Sequence, residues 1–429
     1  MERQEIAWPR VAAWAVVLSL SLTHFIALSA SRGRHGFADL PIFLAAAAHF
    51  RETGDLYPGA GNDGAFRPAA PVYKFPPLFA TVLLPSTRDG IDRGDFARHW
   101  WAQMLLYATA VTLLLALAPR RPETPWLLAA VVVALNFTPF FETLDRLQLE
   151  TPILWLLAVA LACSFRGRNG VAGAAVGIAA AFKVYPAFLL LAFLLRRRWA
   201  ALPGFFAGML LATAFSVTVL GAGVHRVWLT QVLPAMLGEQ AILWTENMSP
   251  VRSLQTEFGA GAGVARWIGV ALALGLLAVT ARSSWQVGGA RAPGRPGDAG
   301  RRLDGVVVAW SVPVMLLAMP NSWANYQLLL LVPAITLPLL LPGGSARNRV
   351  AACSVVVLAL VLAYAPCEGP ELFRYAWPCA QTPHTLGLFR LSRPLHDFWV
   401  ELRPLAPLAA WLGGWLAARE VSREASGPV

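Results

Sequence analysis

Three charged side chains stand at positions where apolar sequence makes charge costly. Asp39 is the first carboxylate beyond a long N-terminal apolar run, in the segment Gly36-Phe37-Ala38-Asp39-Leu40-Pro41-Ile42-Phe43. An acid just past a membrane helix, at the start of an amphipathic segment, is either a helix cap or a base held at the membrane surface. Pro41 in the first turn, with Leu40, Phe43, Leu44 and Ala47 on one face, fits the cap. A carboxylate at a helix start is also kept ionised by the helix dipole, so both roles can coexist. The other two are Lys74 and Lys183, the only lysines among 35 basic residues, and each is followed by an aromatic residue and a proline. A compact ammonium on a flexible stem suits a phosphate that must arrive and leave. The same stem also lets a lysine snorkel to water from a packed segment.

Other groups are weaker. Asp145, Arg146 and Gln148 fall together at one turn and suit either sugar hydroxyls or a local salt bridge ahead of the next span. His49 and His99 lie in apolar or interfacial sequence, where packing is the ordinary role. The aspartates at 55, 63, 89, 92 and 95 are scattered among turn residues with no paired-carboxylate pattern, so metal-independent chemistry without a cofactor is expected. Of the 4 cysteines, Cys163 and Cys353 lie inside apolar runs, whereas the spacing of Cys367 and Cys379 permits a disulfide in an oxidising compartment.

These residues must be carried by membrane helices. With 57% hydrophobic and 14% charged residues over 429, and a mean hydropathy of +0.54, the chain has more apolar surface than one soluble core can bury. Strand-like alternation is absent, so an all-α polytopic protein is expected. The net charge of +11 does not point to nucleic acid, because the arginines are dealt out in short clusters between apolar runs. Those clusters fall at Arg120-Arg121, Arg166 to Arg168, Arg196 to Arg198, 282 to 302, Arg347 to Arg349 and the tail. Placing each inside by the positive-inside rule gives about twelve spans, with both termini cytoplasmic.

The spans expected are 8 to 30, 97 to 118, 125 to 141, 151 to 165, a short pair at 171 to 182 and 186 to 195, 199 to 221, 261 to 281, 304 to 320, 326 to 342, 350 to 365 and 401 to 418. The short pair makes a re-entrant hairpin with Lys183 near its apex. Long outer loops are then expected at 31 to 96, 222 to 260 and 366 to 400, and residues 288 to 300 read as a disordered inner loop. The whole of 1 to 429 is read as one integral membrane domain, with short juxtamembrane helices in the first outer loop.

Several segments, in order along the chain, carry a resemblance. They are Asp39 to Tyr57, Tyr73-Lys74-Phe75-Pro76-Pro77-Leu78, Leu147-Gln148, Ala172 to Pro186, Glu246-Asn247-Met248-Ser249 and Ser322-Trp323-Ala324-Asn325-Tyr326. The chain resembles the polyprenyl-phosphate-sugar-dependent glycosyltransferases of the GT-C superfamily, and specifically glycosyltransferase family 87 (GT87). Two departures stand out: Leu147-Gln148 where relatives often have Gly-Gln, and Asn325 and Tyr326 where they often have histidines. The resemblance implies that Asp39 is the general base. It would take the proton of an acceptor hydroxyl as that oxygen displaces polyprenyl phosphate from the anomeric carbon, with inversion. Lys183, Lys74 and Arg252 are the expected partners of the leaving phosphate, and Asn247, Gln148, Asn325 and Tyr326 are carried over as substrate contacts. The implied setting is the plasma or inner membrane, with the site extracytoplasmic, a lipid-linked sugar (mannose is expected) as donor and a glycolipid or glycan as acceptor. The competing reading is a lipid-linked glycan flippase or transporter, which would carry ionisable residues near the midplane of several spans.

Overall fold

The computed structural model describes residues 8–32, 39–60, 73–88, 93–117, 124–238, 241–242, 247–288, 298–340, 385–386, 389–390 and 402–426. Cys367 and Cys379, the span expected at 350 to 365 and residues 289–297 of the expected inner loop lie outside them. Within the described residues the regular structure is helical, apart from a two-residue ladder pairing Thr385–Leu386 with Phe389–Arg390 and isolated bridges, among them one between Asn247 and Trp323. Helix α1 spans Trp8–Arg32, α2 Leu40–Thr53, α3 Pro77–Leu83 and α4 Arg93–Leu115. They are followed by α5 (Thr124–Leu135), α6 (Thr138–Arg146), α7 (Glu150–Phe165) and α8 (Asn169–Phe182). A 3-10 turn, Tyr185–Leu189, leads to α9 (Leu190–Leu195), then α10 (Ala201–Leu220), α11 (Ala222–Val227), α12 (Leu233–Gly238) and α13 (Pro250–Thr256). The chain continues with α14 (Ala262–Gly288), α15 (Asp298–Leu317), a 3-10 segment Ala324–Leu330, α16 (Leu331–Leu340) and α17 (Ala406–Ser426).

Four segments are long and apolar enough to cross a membrane: Val11–Ala30, Trp126–Arg146, Ala201–Leu220 and Ala262–Ser283. The twelve spans expected from charge parity are therefore not all present as full-length crossings among the described residues. The segment expected as one span from 125 to 141 is broken at Asn136 and Phe137. Phe137 is extended, and α6 restarts behind it with Pro139 in its first turn. The span expected at 326 to 342 begins instead as the 3-10 segment. Lipid-facing helices show themselves by exposed apolar side chains, such as Leu20 on α1, Leu210 and Leu211 on α10 and Trp267 on α14. Helices α15 and α16 are buried along nearly their whole lengths and form the centre.

The segment from Asn169 to Leu195 is a hairpin of short helices. Pro186 has no N–H and its ring would clash with the carbonyl of Phe182, so α8 stops there and Lys183 is extended. Helices α8 and α10 touch in pairs: Gly170 with Gly204, Ala174 with Gly208, Gly173 with Ala201 and Gly177 with Phe205. Both members of each pair advance together, so the two helices run parallel. The chain must come back between them, and Tyr185–Leu195 makes that return. The 14 residues of α8 rise about 21 Å, short of the roughly 30 Å of hydrocarbon in a bilayer. Helix α3, from the first loop, fills space beside this hairpin: Leu78 packs with Ala181 and Ala212, and Thr81 Oγ1 lies 2.8 Å from Ser216 Oγ on α10.

The parallel contact is close because glycine makes it so. A Cβ on Gly173 would lie 2.0 Å from the carbonyl oxygen of Ala201, and one on Gly177 2.1 Å from that of Phe205. Small residues at such seams let helix backbones approach in a membrane. Gly177→Ala is expected to destabilise the protein by about 1–3 kcal/mol through overpacking. Gly223→Ala, where nothing lies within 4 Å of an added Cβ, is the control that leaves the melting temperature in detergent unchanged.

At the other end of α8 and α10, Asp304 at the start of α15 binds two arginines of the intervening turn. Its Oδ1 accepts from Arg196 Nε at 2.8 Å and its Oδ2 from Arg198 Nε at 2.9 Å. The turn after α9 is thus tied to the start of α15.

Candidate active site

Asp39 stands at the N-cap position of α2, and its backbone carbonyl accepts the Ile42 and Phe43 amides at 3.0 and 3.2 Å. Its side chain makes no cap hydrogen bond. The coexistence of cap and base is therefore corrected: the carboxylate has turned away from its own helix. Oδ2 accepts a hydrogen bond from Gln148 Nε2 and lies 3.7 Å from Arg146 Nη1. The side chain keeps 19% of its surface exposed.

Gln148 reaches Asp39 because the end of α6 is bent sharply. Leu147 adopts a left-handed conformation, φ 47° and ψ 47°, and the amides of Leu147 and Gln148 return to the carbonyls of Leu144 and Thr143. Only glycine enters that region without strain. A Gly-Gln pair is therefore what this turn prefers, and here the strain at Leu147 is offset by burying its side chain in the main core.

The other face of the Gln148 amide meets Lys183, whose Nζ donates to Oε1 at 3.3 Å. Lys183 is only 5% exposed, and its ammonium forms an ion pair with Oε1 of Glu150 in the first turn of α7. Three rings surround it. The ammonium lies 4.0 Å from the ring centre of Tyr326, 4.8 Å from Phe75 and 5.8 Å from Tyr185, within cation–π range. Tyr185 and Tyr326 stack at 5.5 Å. Phe75 is pinned in turn, since its carbonyl accepts from Tyr57 Oη at 2.8 Å, and Tyr73 Oη accepts the Ala80 amide at 3.0 Å.

Asp39, Gln148, Lys183 and Tyr326 thus form one cluster at the start of α2, the end of α6 and the apex of the hairpin. Asn325 adjoins it: its carbonyl accepts from Thr143 Oγ1 at 3.2 Å, while its buried Nδ2 has no hydrogen-bond partner among the described residues. Lys74 comes near through its chain neighbour Phe75, and its carbonyl accepts from Trp228 Nε1 at 3.2 Å. Arg252 is on α13, 3% exposed, with its amide donating to Ser249 Oγ. Asn247 has no free group to offer a substrate. Its Nδ2 donates to the Ile242 carbonyl at 2.8 Å and to Asn321 Oδ1 at 3.0 Å, and its Oδ1 accepts the amides of Ser249 and Ser322 at 3.1 and 2.9 Å. It clamps two loops together.

Glu150 is not among the expected site residues, and an acid in a first helical turn is an ordinary partner of the helix dipole. One signal could have found it. No other acid occurs from 151 to 220, and a lysine buried in that stretch needs a counter-charge.

Residues 73–320 match the model of a family described as Glycosyltransferase family 87, more than half of the chain. The chain belongs to glycosyltransferase family 87. No curated protein and no solved structure gives a significant match. The matched region holds Arg146, Gln148, Glu150 and Lys183; Asp39, Asn325 and Tyr326 lie beyond its two ends. As a GT87 member the protein is a glycosyltransferase, acting on a sugar donor and an acceptor in a membrane setting.

Proposed function

We propose that this GT87 enzyme transfers a sugar from a polyprenyl-phosphate carrier to a hydroxyl of a lipid or glycan acceptor, on the extracytoplasmic side, with Asp39 as general base. The observation that carries this reading is the freed carboxylate. The Asp39 side chain makes no bond to its own helix, keeps part of its surface open and is oriented by Gln148 and Arg146. The acceptor O–H gives its proton to Asp39 as its oxygen bonds to the anomeric carbon. The bond from that carbon to the phosphate oxygen breaks, and the electron pair leaves with the polyprenyl phosphate.

Lys183 takes a different role from the phosphate ligand expected of it. Its ammonium is already neutralised by Glu150 and enclosed by rings. Arg146, beside Asp39 with 23% of its side chain exposed, is the better cation to meet the developing negative charge. Tyr326 lies over the Lys183 ammonium with Asn325 beside it in the chain, and mannose remains the expected sugar.

Membranes containing the protein should pass label from a radiolabelled polyprenyl-phosphate-mannose to a lipid or glycan acceptor. Transfer from a nucleotide sugar alone would overturn the donor assignment. Sidedness has its own test, in protein with the native cysteines replaced. A cysteine at exposed Glu52 should react with an impermeant maleimide from outside, and one at Gly294 only after the membrane is opened.

A further inference from the structure

We propose that the buried Glu150–Lys183 pair is a positioning device: it dictates which end of the Gln148 amide faces Asp39, and so keeps the Asp39 carboxylate an acceptor, ready to take a proton. This rests on Asp39 being the base, and it gives Lys183 and Glu150 a task without contact to the substrate.

The argument starts from the two ends of an amide. Gln148 can present oxygen or N–H₂ to either neighbour, and by shape alone the orientations are nearly equivalent. Lys183 removes the choice. An ammonium has donors and no acceptor, so Gln148 must turn Oε1 toward it. Nε2 is then left facing Asp39 Oδ2, where it donates. A hydrogen bond donated to a carboxylate favours its charged form. With the amide reversed, oxygen would face oxygen, and a proton on Asp39 would be favoured between them.

Each remaining part of the cluster supports the ammonium. Glu150 supplies the counter-charge, and the faces of Phe75 and Tyr326 supply negative potential where water is excluded. As a mere brace the pair is a poor design. Glu150 Oε2 is buried with no hydrogen-bond partner among the described residues, and apolar residues of similar volume usually hold a core at least as well. Charged and titratable groups meet these two centres from several elements. Asp39 meets Arg146 from α6; Lys183 meets Glu150 from α7, Tyr185 from the 3-10 turn and Tyr326 from the segment before α16. Tyr326 also lies within electrostatic reach of Asp39.

The test is an infrared titration of purified protein. The carboxyl band of Asp39 is isolated by subtracting the Asp39→Asn spectrum, so the reading needs no substrate. In the double variant Lys183→Met/Glu150→Gln both charges go together, leaving none uncompensated. The pH at which Asp39 takes up its proton should rise by about one unit or more. Gln148→Glu, which keeps the pair intact, should raise it further, because two adjacent carboxylates resist ionising together. With labelled polyprenyl-phosphate-mannose, the acidic limb of the rate profile should move by the same amount, and the donor KM should stay within about twofold. An unmoved Asp39 titration in a folded double variant, or in Gln148→Glu if the double variant does not fold, overturns the proposal. So does a tenfold rise in donor KM with the acidic limb in place, which would make Lys183 a phosphate ligand. Wild-type transfer by Asp39→Asn would instead overturn the base assignment, whatever the titrations give.

Discussion

Asp39→Asn is expected to lower sugar transfer by about 10²–10⁴-fold, the usual contribution of a positioned general base, while leaving the protein folded. Asparagine has the shape of aspartate, and its Oδ1 still accepts from the Gln148 amide. The helix start is not at risk. The carbonyl of Asp39 holds Ile42 and Phe43, its side chain caps nothing, and α2 keeps Pro41 in its first turn. Activity and stability should therefore separate, which is rare for a residue at a helix terminus. Label transfer from polyprenyl-phosphate-mannose measures the first, and melting in detergent the second. A variant that melts several degrees early and is inactive would return Asp39 to a structural role. One that transfers normally would remove it from the chemistry.

The second large effect is expected at the buried ion pair. Lys183→Met strands the Glu150 carboxylate at zero exposure, and breaking a buried pair from one side destabilises by about 3–5 kcal/mol. Glu150→Gln strands the ammonium and should destabilise by a similar amount, moderated by the ring faces of Phe75 and Tyr326. Removing both charges should recover most of the loss, because no uncompensated charge is left. A double-mutant cycle on melting or denaturant midpoints reads the coupling directly. Simple addition of the two single effects would mean that the charges do not hold each other.

Much of the frame was legible from the chain. Apolar runs and arginine clusters marked the helices, and Tyr185-Pro186 marked the broken hairpin, because a proline there cannot continue α8. Lys183 was conspicuous because a lysine in apolar sequence is costly. Its partner was hidden. Glu150 is 33 residues upstream, at a place where acids commonly serve the helix dipole, and nothing local announces that α7 carries it beneath the hairpin. Residue type and position at Asp39 also fit a side-chain cap, but the carboxylate instead meets Gln148, 109 residues away, and Arg146. Asn247 was carried over as a substrate contact, whereas it ties loops 73 to 75 residues apart. Sequence patterns report periodicity well. Which polar group will claim another across such distances depends on packing that no short window contains.

The cluster around Lys183 also sets an order of events during biosynthesis. Glu150 and Lys183 can meet as soon as α8 has entered the membrane, but the ring of Tyr326 that closes over the ammonium lies far down the chain. At a translation speed of roughly 5–20 residues per second, several seconds or more pass before it exists. Throughout that interval this ring is missing, and so is Asn325, along with the Ser322 amide that Asn247 holds. A nascent chain stalled before Ser322 would contain Asp39, Gln148 and Lys183 and still be unable to close its site. Sugar transfer is therefore expected only from copies synthesised past Tyr326.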